Sequence, residues 1–213
     1  MIVCWSVKGG SGTTVVSASL ALSLAQRNAS PVRIIDFCGD IPAALGIAEP
    51  SAIGITDWLV AEKRPPIESL QIPVTNNVSV IPRGTEINDR FALTAEHCND
   101  VTNGLDSSHE LTVVDAGDEQ SSLLAQYATM SLLVIRPCYL ALRKATHLQV
   151  KPHGVVLINE PGRSLGKRDV ESVVGVPVLA EIPLDPSISR CVDAGLLASR
   201  LPVSISQHLA HVA

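Results

Sequence analysis

A glycine-rich stretch near the start of the chain constrains the fold more than any other feature. The mostly apolar residues 2–7 lead into Lys8-Gly9-Gly10-Ser11-Gly12-Thr13-Thr14, and a weakly polar run follows from Val15 to Ala25. This order is typical of the strand, loop and helix of a phosphate-binding loop. Glycines let backbone N–H groups turn inward around an anion, and the start of the helix adds partial positive charge. The stretch therefore predicts a site for the phosphates of a nucleotide.

The loop lacks one residue that the phosphate-binding loops of ATPases normally contain. Such loops end in Gly-Lys-Ser/Thr, where the lysine binds the β- and γ-phosphates and the hydroxyl group binds Mg²⁺. Here Gly12 is followed by Thr13 and Thr14, so the hydroxyl group is kept and the lysine is missing. A lysine stands before the glycines instead, at Lys8. A tight turn without a ligand is the alternative interpretation, but the combination of lysine, glycines, hydroxyls, strand and helix favours a phosphate site.

This arrangement resembles the deviant P-loop of the MinD/ParA family, which is written K-G-G-x-G-K-S/T. In that family the leading lysine reaches across a sandwich dimer to the nucleotide of the partner subunit. The resemblance therefore implies that this chain forms a homodimer through nucleotide and that Lys8 contacts the partner's nucleotide. A loop without the second lysine is similar to that of the TadZ/CpaE branch, where the loop sequence is commonly K-G-G-x-G-A/S-T-T. Members of this branch help to localise pilus-assembly machinery. The resemblance implies the cofactors ATP and Mg²⁺, with Thr14 on the metal. The residues that it places around the nucleotide are Gly9, Gly10, Ser11, Gly12, Thr13 and Thr14.

Two aspartates that end apolar runs are candidates for the chemistry of the site. Asp36 and Asp115 each follow a short run typical of a buried strand. At the carboxyl end of a strand in a doubly wound sheet, an acid points into the ligand crevice, although a helix cap is a common alternative. Asp115 has the position of the Walker-B acid that holds Mg²⁺ through water, and Asp115-Ala116-Gly117 resembles the family's switch loop. The resemblance therefore gives Lys8, Asp36 and Asp115 catalytic roles, and makes Asp115 a second metal residue.

The segment after Asp36 resembles the family's second nucleotide-facing segment, which often reads D-x-D with a later G-D. Asp36 matches the first aspartate, whereas the second falls on Cys38. Asp40 either replaces the missing aspartate or caps a helix predicted over Ile41–Leu45. The sequence leaves both alternatives open.

The rest of the chain alternates strands and helices at the spacing of βαβ units. Predicted strands cover 2–7, 32–36, 78–82, 111–115, 131–136, 154–159 and 178–183. Predicted helices cover 13–27, 41–45, 54–60, 140–150, 165–174, 186–199 and 203–211, with a weaker helical pattern between about 88 and 106 and a mobile loop at 103–109. Asn159 ends the penultimate strand, where the family contacts adenine, and Pro183 resembles part of its other base-side loop. We expect one MinD/ParA-like P-loop NTPase domain over residues 1–213, an α/β fold with a doubly wound, mostly parallel sheet and helices on both faces.

Composition agrees with a buried parallel sheet and disfavours two kinds of partner. Aromatic residues make up 3% of a chain that is 46% apolar, so Val, Ile, Leu and Ala must build the core. A net charge of −5 argues against a DNA-binding face. The C-terminal residues 201–213 lack the Lys/Arg face that MinD-like proteins use on anionic membranes, which argues against direct membrane binding. Five widely spaced cysteines and no visible signal peptide lead us to expect a cytoplasmic protein.

Three functions are compatible with these features. The first is a nucleotide-linked homodimer that acts as a spatial organiser, with a pilus or secretion assembly ATPase or a polar scaffold as its partner. The second is a ParA/MinD-type partition or positioning ATPase that acts on DNA or a membrane-bound cargo, and the third is a metabolic ligase. Loss of a charge-assisted hydrogen bond costs roughly 1.5–3 kcal/mol, or about 10- to 100-fold in affinity, and weakens phosphoryl transfer directly. We therefore expect the first function, with weak or absent hydrolysis.

Overall fold

Strands and helices alternate through the structure, a computed structural model that describes residues 1–48, 53–85, 92–105 and 110–212. The strands of the described part are β1 (Ile2–Trp5), β2 (Val32–Asp36), β3 (Ile72–Pro73), β4 (Val78–Ile81), β5 (Leu111–Asp115), β6 (Met130–Ile135), β7 (Gly154–Asn159) and β8 (Val178–Pro183). The helices are α1 (Thr13–Asn28), α2 (Ile41–Leu45), α3 (Ile55–Val60), α4 (Ala95–Leu105), α5 (Tyr139–Ala145), α6 (Lys167–Val174), α7 (Pro186–Asp193) and α8 (Val203–Leu209). Two 3₁₀ helices cover Ile67–Leu70 and Glu119–Tyr127.

The strands form one sheet in the order β3-β4-β2-β5-β1-β6-β7-β8. Every neighbouring pair is parallel except β3 and β4 at one edge. Strands β2 to β5 lie on one side of β1, and strands β6 to β8 lie on its other side. This reversal of direction creates a topological switch point beside β1. Asp115 lies opposite both Cys4 and Asp36 in the register. The loop after β1 and both predicted acids are therefore at the same edge of the sheet.

Alternate residues of each central strand pack into two apolar layers, one on each face of the sheet. Val3 and Trp5 belong to the layer that includes α3, α4, α5 and α6. Ile2 and Cys4 belong to the other layer, with α1, α2, α7 and α8. Because α1 has no charged residue before Arg27, it can be buried along most of its length. The predicted α/β fold, with a doubly wound, mostly parallel sheet and helices on both faces, is confirmed.

Several predicted boundaries differ from those of the structure. The predicted strand over 2–7 ends at Trp5, and the predicted helix over 140–150 ends at Ala145. The helix predicted over 186–199 ends at Asp193 because a left-handed turn follows, with φ of 64° at Gly195. The edge strand β3 and both 3₁₀ helices were not predicted. For β3 the reason is that two residues are too few to show a periodicity.

One predicted segment lies partly outside the described residues. The weak helical pattern between 88 and 106 contains α4, but residues 86–91 and 106–109 are not described. Within the predicted mobile loop, residues 103–105 belong to α4. Among the helices that the structure describes, none combines the length and hydropathy needed to cross a bilayer.

Gly46, at the end of α2, is packed against the turn that follows α7. It adopts φ of 74°, and a Cβ atom added there would lie 2.0 Å from the carbonyl oxygen of Gly195. We expect Gly46→Ala to lower the free energy of unfolding by about 3–4 kcal/mol, since it adds a clash to left-handed strain. Gly162→Ala is the control, because φ there is 82° but nothing lies within 4 Å of the added Cβ. Equal losses in urea denaturation would contradict the packing argument.

Candidate functional site

A polar cavity of about 450 Å³ opens at the carboxyl edge of the sheet, in front of the glycine loop. Its walls come from the loop itself, the segment after β2, Arg83 after β4, and residues 116–118 after β5. The predicted loop residues that line it are Gly9, Gly10, Ser11, Gly12, Thr13 and Thr14. The structure thus brings the whole predicted phosphate loop to one cavity, which we call the phosphate cavity.

Hydrogen bonds to its carbonyl groups hold the loop in shape. The hydroxyl groups of Ser6 and Ser11 both donate to the carbonyl of Lys8, at 2.9 and 2.7 Å. From α5, the Lys144 ammonium group donates to the carbonyl of Val7 at 3.0 Å. Gly12 adopts φ of 89° and stands at the N-cap position of α1 without a side chain to cap it. The first N–H groups of the helix are therefore available to an anion.

Lys8 does not line the phosphate cavity of its own subunit. Its backbone carbonyl is part of the loop network, and the residue is exposed. Thr13, which stands where the usual lysine would be, is 7% exposed and lines the cavity. The wall that the loop forms therefore contains hydroxyl groups and N–H groups but no cationic side chain.

Asp115 is the predicted acid whose geometry fits a metal ion. It is 0% exposed; its Oδ1 accepts the N–H of Gly117 at 3.2 Å, while Oδ2 has no hydrogen-bond partner among the described groups. Burial, followed by the negative charge of Asp36, raises the pKa of Asp115 to about 7, and the nearby Thr14 hydroxyl opposes this shift. A buried carboxylate oxygen without a partner, close to a hydroxyl group, fits the oxygen ligands that Mg²⁺ prefers.

Asp36 has a different environment, although its strand is the neighbour of β5. Its carboxylate accepts the N–H groups of Cys38, Gly39 and Ile41, at 2.8, 2.8 and 3.0 Å. Burial raises the pKa of Asp36, and these three hydrogen bonds oppose the rise. Like Asp115, Asp36 is buried and does not line the cavity. Its three hydrogen bonds shape the segment after β2. Its catalytic role stays a prediction.

Cys38 and Asp40 both line the phosphate cavity. Burial and the carboxylates of Asp115 and Asp36 raise the pKa of the Cys38 thiol far above its usual range, so it carries no charge. Asp40 stands at the N-cap position of α2, but its side chain makes no capping hydrogen bond. Of the two alternatives for Asp40, the geometry thus supports a cavity role more than a cap.

A second, apolar cavity of about 260 Å³ lies beside the glycine loop. Gly12 and Val15 form one side, and Ile158 and Pro183 are among the residues of the other side. The size and apolar walls suit a planar ring next to the phosphate cavity. Asn159 is exposed and lines neither cavity; its carbonyl accepts the N–H of Leu184 at 2.8 Å.

Two cations of the site were not anticipated from the sequence. Arg83 lines the phosphate cavity, and Lys144 holds the start of the glycine loop. The sequence contains a signal for Arg83, because this residue follows the apolar run that ends at Ile81 and so emerges at the carboxyl edge of the sheet. Lys144 had none, since it is 137 residues away from the carbonyl that it contacts.

The sequence of this chain matches a known protein family. Residues 2–198 match the model of the CobQ/CobB/MinD/ParA nucleotide binding domain. The chain belongs to this family. The resemblance to MinD/ParA proteins is thereby confirmed at the level of the family, and the glycine loop lies within the matched residues.

Individual proteins that are similar to this chain agree with the assignment. The chain is 25% identical over 205 residues to an ATP-binding protein of Methanocaldococcus jannaschii described as uncharacterized, covering 89% of this chain and 76% of the relative. A ParA family ATPase from Chlorobium tepidum is similar in structure, with a TM-score of 0.79 at 18% identity over 98% of this chain and 96% of the other. MinD from Pyrococcus horikoshii, solved with Mg-ADP, has a TM-score of 0.74 at 20% identity over 100% and 94%. The two structural matches show the fold.

Asp115 should destabilise the ligand-free MinD/ParA-like domain as the pH rises. Its pKa is about 7 in the folded protein against an ordinary value of 3.8, so the folded state holds the proton more tightly. Stability is then lost between about pH 4 and pH 7 and is constant above that window. We expect Asp115→Asn to raise the melting temperature more at pH 8 than at pH 5, by roughly 4–8 °C. Exposed Glu62→Gln is the control, and equal gains at both pH values would contradict the argument.

Proposed function

We propose that this chain is a cytoplasmic protein that binds ATP with Mg²⁺ and forms a nucleotide-linked homodimer acting as a spatial organiser, similar to TadZ/CpaE proteins. The observation that carries the proposal is the phosphate cavity, which is lined by the glycine loop and the uncapped start of α1. Asp115, directly before the lining residues 116–118, has a buried oxygen without a hydrogen-bond partner. The M. jannaschii relative is described as ATP-binding, and the P. horikoshii MinD was solved with Mg-ADP. Both support this ligand.

The proposed assignments within the site follow from the same walls. Residues 9–14 hold the phosphates, and Thr14 and Asp115 hold Mg²⁺, which would stabilise the negative charge of the phosphates. The apolar cavity takes the base, with Pro183 on its wall and Asn159 at the end of the adjacent strand. Asp36 and Lys8 keep their proposed catalytic roles. Asp36 acts by shaping the segment after β2, and Lys8 acts on the nucleotide of the partner subunit.

Weak or absent hydrolysis is part of the proposal. Phosphoryl transfer needs positive charge where negative charge develops in the transition state, and Thr13 offers only a hydroxyl group at the position of the usual lysine. Nucleotide binding depends less on that charge, because backbone N–H groups and the start of α1 remain. A site of this kind suits a protein that responds to bound nucleotide more than one that turns it over.

Dimerisation is supported by what lies around the loop. Lys8 is exposed beside the cavity and does not line it, so its ammonium group is available to a second subunit. At the same edge of the sheet, Tyr139 and Leu140 at the start of α5 are 76% and 47% exposed. Because Lys144 ties α5 to the glycine loop, this apolar surface is fixed relative to the nucleotide site. Burying it against another copy would stabilise the dimer.

A partition or positioning ATPase of the ParA/MinD type is the second candidate. The structural likeness to a ParA family ATPase and to MinD favours it at the level of the fold. A net charge of −5 disfavours DNA as the cargo surface. A pilus or secretion assembly ATPase, or a polar scaffold, is therefore the partner that we propose.

Thr13→Lys should strengthen nucleotide binding. A lysine at this lining position can extend into the cavity and contact the phosphates, which should raise ATP affinity about 10- to 100-fold. Isothermal titration calorimetry with Mg²⁺ should detect micromolar to millimolar ATP affinity in the unchanged protein and tighter binding in the variant. Thr75→Lys is the control, since Thr75 is exposed near the opposite end of β4. If the unchanged protein bound neither ATP nor ADP at several millimolar, the nucleotide proposal would be wrong.

Lys8→Ala should abolish dimerisation by ATP and leave much of the monomer's nucleotide affinity intact. A ligand that lies between two subunits favours the dimer by mass action, and Lys8 contacts only the partner's nucleotide in this proposal. Analytical ultracentrifugation with and without ATP measures the shift toward twice the monomer mass. Lys63→Ala, at another exposed lysine, should dimerise normally. A nucleotide-induced dimer that persisted in Lys8→Ala would contradict the proposed contact of Lys8 with the partner's nucleotide.

A further inference from the structure

The phosphate cavity contains one cationic side chain that the family motif does not include. Among the described residues that line it, Asp40 and Asp118 are acidic, and Arg83 is the one with a positive charge. Acids on the wall repel phosphate groups, and the glycine loop has no lysine at position 13 to offset them. The placement of Arg83 therefore decides how a polyanion could be held here.

The backbone at Arg83 is fixed against the start of α3. Its carbonyl oxygen accepts both the N–H and the hydroxyl group of Thr56, at 2.9 and 2.7 Å. The carbonyl of Pro82 accepts the N–H of Ile55 at 2.9 Å. A Cβ atom added at Gly54 would lie 2.2 Å from the backbone nitrogen of Gly84, so these two segments touch through their main chains. The position from which the arginine extends is thus rigid.

The guanidinium group itself is only loosely held. Its Nη1 donates to the carbonyl of Cys38 at 3.5 Å, which is long for such a bond, and its buried Nε has no hydrogen-bond partner. None of the ion pairs found within the described ranges includes Arg83. A buried donor without a partner is costly, and a shift of this loosely held side chain toward a bound anion would satisfy it.

The side chain also lies on the side of the cavity away from the glycine loop. In the sheet, β2 and β5 separate β4 from β1, so at about 4.8 Å per strand the two strand ends are roughly 14 Å apart. Arg83 extends back over the segment after β2, with its Cδ atom 3.6 Å from where a Cβ on Gly39 would be. This path over the segment after β2 brings the arginine to the cavity wall.

We propose that Arg83 binds the terminal phosphate of the nucleotide and supplies the charge that Thr13 does not. The inference rests on the proposed nucleotide site. The glycine loop and the start of α1 hold the inner phosphates, whereas the last phosphate faces the segment after β5 and the wall where Arg83 lies. The planar guanidinium group donates two parallel hydrogen bonds to phosphate oxygens. Arg83 is thus a specificity residue that makes the site prefer ATP to ADP.

Calorimetric titration of ATP and of ADP, each with Mg²⁺, tests this assignment. We expect Arg83→Gln to weaken ATP binding about 10- to 100-fold and ADP binding by less than about 3-fold. Arg83→Lys, which keeps the charge, should recover part of the ATP affinity. In Arg83→Gln with Thr13→Lys, the new lysine should also recover ATP affinity. Arg168→Ala, at an exposed arginine on α6, should change neither affinity.

The outcomes separate the inference from the proposed function on which it rests. If the unchanged protein binds neither nucleotide, the proposed function is wrong. If the unchanged protein binds ATP and ADP, and Arg83→Gln leaves both affinities unchanged or weakens both equally, the assignment of Arg83 to the terminal phosphate is overturned. Melting temperatures without nucleotide should be the same in Arg83→Gln and Arg83→Lys. An ATP loss of equal size in both variants, with a matching loss of stability, would show a merely structural role and would also overturn it.

Discussion

The parallel pairing of β5 with both β1 and β2 is the constraint on which the site depends. Asp115 lies opposite Cys4 on one side and Asp36 on the other, so three strands end at one level. In a parallel sheet every chain crossover starts from this edge, and the three loops must therefore emerge together. The glycine loop, the segment after β2 and residues 116–118 after β5 line one cavity because the register ends their strands side by side.

Two carboxylates buried side by side differ in how far hydrogen bonds compensate for their burial. Asp36 accepts three backbone N–H groups, which compensate for its burial. Asp115 has one oxygen without a partner, and burial beside Asp36 raises its pKa to about 7. A fold that only had to be stable would replace such a group, since an uncompensated buried charge opposes folding. Its presence next to a hydroxyl group and a phosphate loop is understandable when a cation offsets the charge.

The sequence predicted those parts of the fold and site that local patterns determine. The glycine loop, the strands ending in Asp36 and Asp115, and the fold class could be predicted because glycine geometry and apolar runs act over a few residues. The contact of Lys144 with the loop could not be predicted, since it depends on the strand order and the path of the side chain. The apolar run before Arg83 predicted only that it emerges at the carboxyl edge, and its place on the cavity wall depends on the same strand order. Likewise, the three N–H groups that hold Asp36 belong to a turn whose direction no periodicity encodes.

The location of a positive charge determines what a phosphate site can sense. A lysine at position 13 would stand on the loop that wraps the inner phosphates, and so would strengthen every nucleotide that places a phosphate there. A cation on the far wall, such as Arg83 after β4, can contact only a phosphate chain long enough to cross the cavity. In our proposal, a hydroxyl group at position 13 together with Arg83 on the far wall lowers affinity overall but raises the relative advantage of the triphosphate. Exposed Lys8 adds a third location, outside the subunit's own cavity. In the proposed function, a site with charges at the far wall and on exposed Lys8, but none at position 13, is better suited to reporting which nucleotide is bound than to cleaving it.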